Sequence, residues 1–325
     1  MDKSMAPKIT YLRMSITDRC NLRCFYCTYW QEWEKLAAAE ILRYEELLRV
    51  ASVAARLGIR KIRITGGEPL VRRGLPDFIR NLQQIPGVDE ICLTTNGVFL
   101  ADQAPALYEA GLRHLNISLD TLKPHRYLKI TGRDNLVEVL AGIERAAILG
   151  FHPVKINCVA MKGINDDELL DLAYLARERP FQVRFIELMP TGSYQDWLRY
   201  FLPMSEMHRR LAVLGEFAET VSGPTAGPAR IFKPPGFAGE LGFISPMSQH
   251  HCGSCNRLRL TALGRLRPCL LAESEFDLKE VLRRDCSDEV LASFFKEAIG
   301  LKNHRPEYLL GNPITFCRSM AAIGG

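Results

Sequence analysis

Two sets of three cysteines stand near opposite ends of the 325-residue chain. Cys20, Cys24 and Cys27 lie in DRCNLRCFYC with the spacing C-x3-C-x2-C, and Cys252, Cys255 and Cys269 lie in HCGSCNRLRLTALGRLRPC with the spacing C-x2-C-x13-C. A structural zinc closes its shell with four ligands, and a four-iron cluster is ordinarily held by four cysteines. Three thiolates leave one metal position open to a ligand that is not protein, as catalytic metal sites do. A zinc ion completed by one further ligand is the alternative for the first set. For the second set the alternative is a Cys3His zinc site, because His250 and His251 precede Cys252.

Something must hold these loops. From about residue 9 to 190, β-branched runs alternate with amphipathic helical runs. The strand candidates are TYLRMSIT, IRKIRITG, EICLTTNG, RHLNISLD, PVKINCVAM and QVRFIELM. Between the first two, YEELLRVASVAARLG carries Leu47, Leu48, Ala51, Ala54 and Leu57 on one stripe, with Gly58 placed to cap its end. DNLVEVLAGIERAAILG repeats the design, with Asp134 or Asn135 at its start and Gly150 at its end. Alternating strand and helix predicts a parallel sheet. Six units predict an α/β fold, a partial (β/α)6 TIM-like barrel.

The strands alternate more than a sheet buried on both faces requires. Leu12, Met14 and Ile16 oppose Arg13, Ser15 and Thr17; Ile62 and Ile64 oppose Lys61, Arg63 and Thr65. Asn116, Ser118 and Asp120 share one parity on the fourth strand, and Lys155 and Asn157 share one on the fifth. With helices over the apolar faces, the polar faces line the lumen, and Arg13, Lys61, Arg63 and Lys155 there suit a large anionic ligand. An antiparallel sheet with one wet face is the alternative. Residues 1–215 form the expected barrel unit and 216–325 a C-terminal unit. The stretch VSGPTAGPARIFKPPGFAGELG reads as a linker with turns. A hairpin around Ala262 to Gly264 and helices from about 277 to 300 follow it.

Composition is that of an ordinary globular protein, 47% apolar and 24% charged, with a mild net charge of +5. MDKSMAPKIT has no apolar leader core and no run reaches membrane-spanning length, so the expectation is a cytoplasmic protein without a membrane partner. In that compartment the 10 cysteines read as ligands or core residues rather than disulfides. Cys158 reads as core and Cys92 shares the lumen parity of Thr94, while Cys286 and Cys317 carry no motif.

The cysteine loop directly after the first strand, with Tyr26 before its third cysteine, resembles the radical S-adenosylmethionine superfamily. That resemblance implies a 4Fe–4S cluster on Cys20, Cys24 and Cys27, with S-adenosylmethionine chelating the fourth iron. It further implies S-adenosylmethionine contacts at Tyr26, at Gly67 in TGGEP, at Ser118 in SLD and at Met189 in IELMP. Within the superfamily, KIRITGGEPL, LTTNG, LNISLD, KGIND, RFIELM, the second triplet and the terminal Gly324-Gly325 are similar to the GTP 3′,8-cyclases of molybdenum cofactor biosynthesis. This implies a second 4Fe–4S cluster on Cys252, Cys255 and Cys269, with GTP at its open iron. Arg13, Arg63, Thr94, Lys155, Arg257, Leu258 and Arg259 match the family's GTP contacts, and Gly324 and Gly325 match a tail that enters the site for catalysis. The implied partners are GTP, a flavodoxin- or ferredoxin-type reductant and a downstream pterin synthase, with no nucleic acid; a homodimer stays open. Thr28-Tyr29 departs from the family's frequent Met-Pro at that place. Two other functions compete: a peptide-modifying radical enzyme with an auxiliary cluster, and a zinc-binding nucleic-acid module using Arg257, Arg259, Arg265 and Arg267.

Overall fold

The computed structural model describes residues 8–27, 36–190, 194–220, 227–249, 252–270, 274–284 and 286–302. Six strands pair in parallel and in chain order: β1 (Tyr11–Ser15), β2 (Lys61–Thr65), β3 (Glu90–Thr95), β4 (His114–Ser118), β5 (Val154–Ala160) and β6 (Gln182–Glu187). The helices α1 (Tyr44–Arg56), α2 (Leu75–Gln83), α3 (Leu100–Glu109), α4 (Pro124–Thr131), α5 (Leu136–Ile148) and α6 (Leu169–Tyr174) connect them. On α1 the residues Leu47, Val50, Ala51 and Ala54 are fully buried, and Gly58 beyond its end takes φ +94°, a left-handed turn that favours glycine.

After β6 come α7 (Tyr194–Tyr200) and α8 (Met204–Leu211), then β7 (Ala218–Thr220), β8 (Arg230–Lys233) and β9 (Glu240–Ile244). The last elements are β10 (Arg257–Leu260), β11 (Arg265–Arg267), β12 (Phe276–Asp277), α9 (Leu278–Arg283) and α10 (Asp288–Leu301). Among the described residues all twelve strands form one sheet in the order β12-β11-β10-β1-β2-β3-β4-β5-β6-β9-β8-β7. The sheet is not closed, so the barrel is partial, and the C-terminal stretch extends it at both edges. β10 runs parallel to β1, and β9 parallel to β6.

The expected linker resolves differently. From Gly227 onward it is the β8–β9 hairpin, whose apolar Ile231, Phe232, Leu241 and Phe243 are buried. Glycine and proline mark its turn rather than an absence of structure. The hairpin expected near Ala262 to Gly264 is the antiparallel β10–β11 pair.

The core lies between the sheet and its helices. Leu12, Met14, Ile62, Ile64, Leu93, Leu115, Ile117, Ile156 and Cys158 are all fully buried there, as their strand parity predicts. At the β6–β9 seam Phe243 lies 6.0 Å from Phe185 and 5.6 Å from Phe232, ring centre to ring centre. Among the described residues no helix is long and apolar enough to cross a membrane.

Phe243 thus anchors the C-terminal strands to the barrel. Phe243→Ala is expected to lower the free energy of unfolding by about 3–5 kcal/mol, measured by urea denaturation of the holoprotein.

Candidate active site

The polar faces of the strands enclose a cavity of about 940 Å³. Its lining includes all six motif cysteines, none of them in a disulfide, together with Arg13, Arg63, Thr94, Lys155, Arg257 and Arg259. Tyr26, Gly67, Ser118 and Met189 also line it. The two ends of the chain meet here through strand register. Arg13 on β1 sits between Arg259 on β10 and Arg63 on β2, and Tyr11 sits between Arg257 and Lys61.

Leu258 is placed differently. Its side chain is fully buried in the core and does not line the cavity, because it alternates with Arg257 and Arg259. Only its backbone is left to meet a ligand. Gly324 and Gly325 lie outside the described residues, as do His250, His251, Thr28, Tyr29 and Cys317.

The first cysteine loop is tied down on two sides. Gly67 N donates to Thr17 O at 2.8 Å and Glu68 N to Arg19 O at 2.8 Å. On the other side Arg23 N donates to Thr131 O at 2.7 Å and Phe25 N to Ile130 O at 3.1 Å. A Cβ on Gly67 would stand 2.4 Å from Arg19 O and 2.6 Å from Asp18 O, so the glycine is required by the protein's own backbone. The Tyr26 phenol donates to Asp120 Oδ2 at 2.5 Å, and Val159 N donates to Asp120 Oδ1 at 2.9 Å. Burial pushes the Asp120 carboxyl up to about 6, and pushes the Glu68 carboxyl up to about 7.

The two thiol sets have different electrostatics. Burial pushes the Cys20 thiol up to about 11, with the Glu68 carboxylate adding to the effect. Burial and the neighbouring Cys27, Asp120 and Cys20 raise Cys24 well above its ordinary value. At Cys255 burial acts upward, but Arg257 and Lys302 outweigh it and hold the thiol at about 6. Lys302 also donates to Pro268 O, next to Cys269, at 2.7 Å. Metal binding requires thiolates, so Cys20 and Cys24 need positive charge from their metal more than Cys255 does. Among the described residues no three His, Cys, Asp or Glu side chains close around a single ion. Three thiols to each set, all lining one cavity, are a donor set suited to a four-iron cluster.

Between the cysteine sets the cations repel one another. Burial lowers Arg13 to about 10, with Arg63 and Arg257 contributing, and lowers Arg184 to about 9, with Arg63 contributing. Arg259 falls well below its ordinary value through burial and its neighbours Arg13 and Arg257. Lys155 is brought to about 7 by burial and by Arg184, Arg63 and Lys61. Arginine keeps its proton in proteins, so this repulsion persists until an anion relieves it. Sequence reasoning missed Arg184 and Tyr11. Arg184 shares the lumen parity of β6, a signal that was available. Tyr11 accepts a hydrogen bond from Arg63 Nε, which only the fold reveals.

The arginines proposed for a nucleic-acid surface are not a patch. Arg257 and Arg259 face the cavity, while Arg267 pairs with Glu275 at 2.8 Å and Arg265 with Asp277 at 2.9 Å.

Comparison with known proteins gives this arrangement a lineage. Residues 14–176 match the model of the radical SAM superfamily, and residues 181–308 match that of Molybdenum Cofactor Synthesis C. The chain is 46% identical to the GTP 3′,8-cyclase of Pelotomaculum thermopropionicum over 327 residues, covering 100% of both. It is 47% identical to that of Moorella thermoacetica over 325 residues, again covering 100% of both. The chain belongs to the GTP 3′,8-cyclase family. It is therefore a radical S-adenosylmethionine enzyme whose cofactors are S-adenosylmethionine and two 4Fe–4S clusters. Among solved structures, Streptococcus suis SuiB bound to S-adenosylmethionine shares the fold at 14% identity and a TM-score of 0.56, over 95% of this chain and 72% of that one. HydG, a maturase of the [FeFe]-hydrogenase, gives a TM-score of 0.51 at 15% identity over 63% of this chain and 49% of its own.

Two expectations follow. Gly67→Ala forces the cysteine loop off β2 at a cost of about 1–3 kcal/mol, and bound iron should fall from about eight towards about four per chain, with a lower melting temperature. The folded-state value of Lys155 lies below that of the unfolded chain, about 10.4. Between about 7 and that value the unfolded chain therefore binds more protons, and the stability lost by charging this lysine is regained as pH rises. Without nucleotide, Lys155→Met should be more stable than the parent at pH 7, with the gap closing towards pH 9.5. A pH-independent gap in urea midpoints would contradict this.

Proposed function

We propose that this enzyme converts GTP to 3′,8-cyclo-7,8-dihydro-GTP, the first step of molybdenum cofactor biosynthesis. The observation that carries the reading is the β10–β1 register, which sets Arg257 and Arg259 beside Arg13 and Arg63 in one cavity with both cysteine sets. Cys20, Cys24 and Cys27 would hold the cluster that binds S-adenosylmethionine, with Tyr26, Gly67, Ser118 and Met189 around that ligand. Cys252, Cys255 and Cys269 would hold the second cluster, facing the guanine base. When bound, these cofactors would supply a 5′-deoxyadenosyl radical able to remove the ribose 3′ hydrogen; carbon 3′ then bonds to carbon 8 of the base, and the base radical so formed takes up one electron from the reductant and one proton to give the 7,8-dihydro product.

The protein's own part is placement. Forked guanidiniums suit phosphate oxygens and lysine adds a point charge, so Arg13, Arg63, Lys155, Arg257 and Arg259 fix the nucleotide along the cavity. Thr94, which accepts from Arg63 at 3.4 Å, adds a hydroxyl beside that guanidinium. The backbone of Leu258 completes the β10 contact. The cavity wall shields radicals from solvent. Gly324 and Gly325 would supply a slender tail at the site. A flavodoxin- or ferredoxin-type protein as electron donor, a pterin synthase as recipient of the product and a cytoplasmic setting complete the proposal.

Anaerobically reconstituted protein should carry about eight irons, and with reductant, S-adenosylmethionine and GTP should release 5′-deoxyadenosine and the cyclised nucleotide. Zinc in place of iron, or no deoxyadenosine with GTP present, would refute the reading. Arg259→Ala should raise the KM for GTP roughly 10- to 150-fold, equivalent to about 1.5–3 kcal/mol for a hydrogen bond to a charged group. The spectroscopic signal of the first cluster should be unchanged.

A further inference from the structure

Among the described residues, the carboxylates that line the cavity all serve as acceptors inside the protein. Glu68 accepts from Leu70 N at 2.9 Å, Thr95 Oγ1 at 2.7 Å and Asn96 N at 2.6 Å. Glu187 accepts from Met204 N at 2.8 Å and from Met247 N and Ser248 N at 2.9 Å each. Asp120 holds the Tyr26 phenol and Val159 N. Deeper in the lumen Glu90 pairs with Lys61 at 2.7 Å, and Glu240 accepts from Gln182 at 2.7 Å.

The cations of the same cavity form a cluster of their own, in which Arg184 donates to Gln182 Oε1 at 2.6 Å and Arg63 to Tyr11 and Thr94. Arg13, Arg63, Lys155 and Arg184 line one cavity, Arg63 directly across from Arg13 and Arg184 on the strand next to that of Lys155; burial acts against the charge of each, and neighbouring cations add to this at Arg13, Lys155 and Arg184. For Arg63 the burial is offset by Tyr11 and Cys92, so its charge is the most firmly held of the four. Magnesium at a nucleotide is normally held by one or two carboxylates together with the phosphates and several waters. Here the carboxylates already serve as acceptors for the protein, and a divalent cation added to the cationic cluster would meet strong repulsion.

The chemistry removes the usual need for the metal. Magnesium assists phosphoryl transfer by neutralising charge that develops on the phosphates. In the proposed cyclisation the bonds made and broken lie on the ribose and the base, and the triphosphate stays intact. We infer that this enzyme binds its nucleoside triphosphate as the metal-free anion, with Arg13, Arg63, Lys155 and Arg184 taking the place magnesium holds in phosphoryl-transfer enzymes. This rests on the nucleotide reading above.

The test is GTP binding to anaerobically reconstituted full-length protein by equilibrium dialysis, in buffer freed of divalent cations and again with magnesium in excess over nucleotide. Apparent affinity should fall at least about tenfold when magnesium is added, because the metal must leave before the anion enters. Arg184→Gln should bind metal-free GTP more weakly and lose most of that discrimination, which a merely structural role for the arginine would leave unchanged. Affinity that is unaffected or improved by magnesium, or manganese that stays bound to GTP on the protein by electron paramagnetic resonance, would overturn the inference while leaving the GTP reading intact. Absence of binding under both conditions would overturn both.

Discussion

The parallel pairing of β10 with β1 is the constraint on which the site depends. These strands come from opposite ends of the chain, and their register alone places Arg259 beside Arg13 and Arg257 beside Tyr11. A shift of one residue would turn both arginines into the core and Leu258 into the cavity. Asn256 reinforces the register at the strand starts: its carbonyl accepts from Thr10 N and Tyr11 N at 3.2 Å, and its side chain donates to Thr10 Oγ1 at 3.0 Å. Once this edge is set, the second cysteine loop directly before β10 and Cys269 just beyond β11 come to the same cavity as the first loop.

The energetics of that cavity run against folding and towards binding. Hydrophobic burial behind the sheet, from residues such as Leu12, Ile64 and Ile117, contributes about 1.5–3 kcal/mol for each large side chain. The opposite faces of the same strands hold cations that burial and mutual repulsion make unfavourable. The stable apolar layer therefore keeps in place a charged layer that would otherwise spread into solvent. An anion entering the cavity removes the repulsion and gains charge-assisted hydrogen bonds at sites already formed. Recognition is therefore strongest for a ligand with several adjacent negative charges.

Much of this was legible in the sequence because strand alternation has a period of two, broken only at strand ends such as Thr94-Thr95 and Ile186-Glu187, where neighbours both reach the cavity. Arg13, Arg63, Thr94 and Lys155 face the lumen for the same reason that Met14, Ile64 and Ile156 do not. Leu258 shows the other side of that rule: a family motif names three consecutive residues, but the pleat gives only alternate side chains to the cavity. The β8–β9 hairpin was hidden because Gly and Pro punctuate its turn densely enough to resemble a linker. Thr95 and Asn96 as partners of Glu68, and Arg63 as the partner of Tyr11, could not be read at all, since they are distant in sequence. The resemblance puts Gly67 at the S-adenosylmethionine, but the space a side chain would need there is already taken up by Asp18 and Arg19.

That last point bears on how loops hold a radical site. Neither cysteine set sits on a regular element; the first occupies turns, and the second begins in a short helical turn at Cys252–Ser254. Rigidity comes instead from buried carboxylates that gather backbone donors, as Glu68 does beside the first loop and Glu187 does for the segment leading to Cys252. A carboxylate with several N–H partners fixes a loop without the side-chain bulk that would fill the cavity. It also leaves that carboxylate's acceptor capacity turned towards the protein. The same residues that make the loops stiff therefore leave the lumen's positive charge available for the substrate.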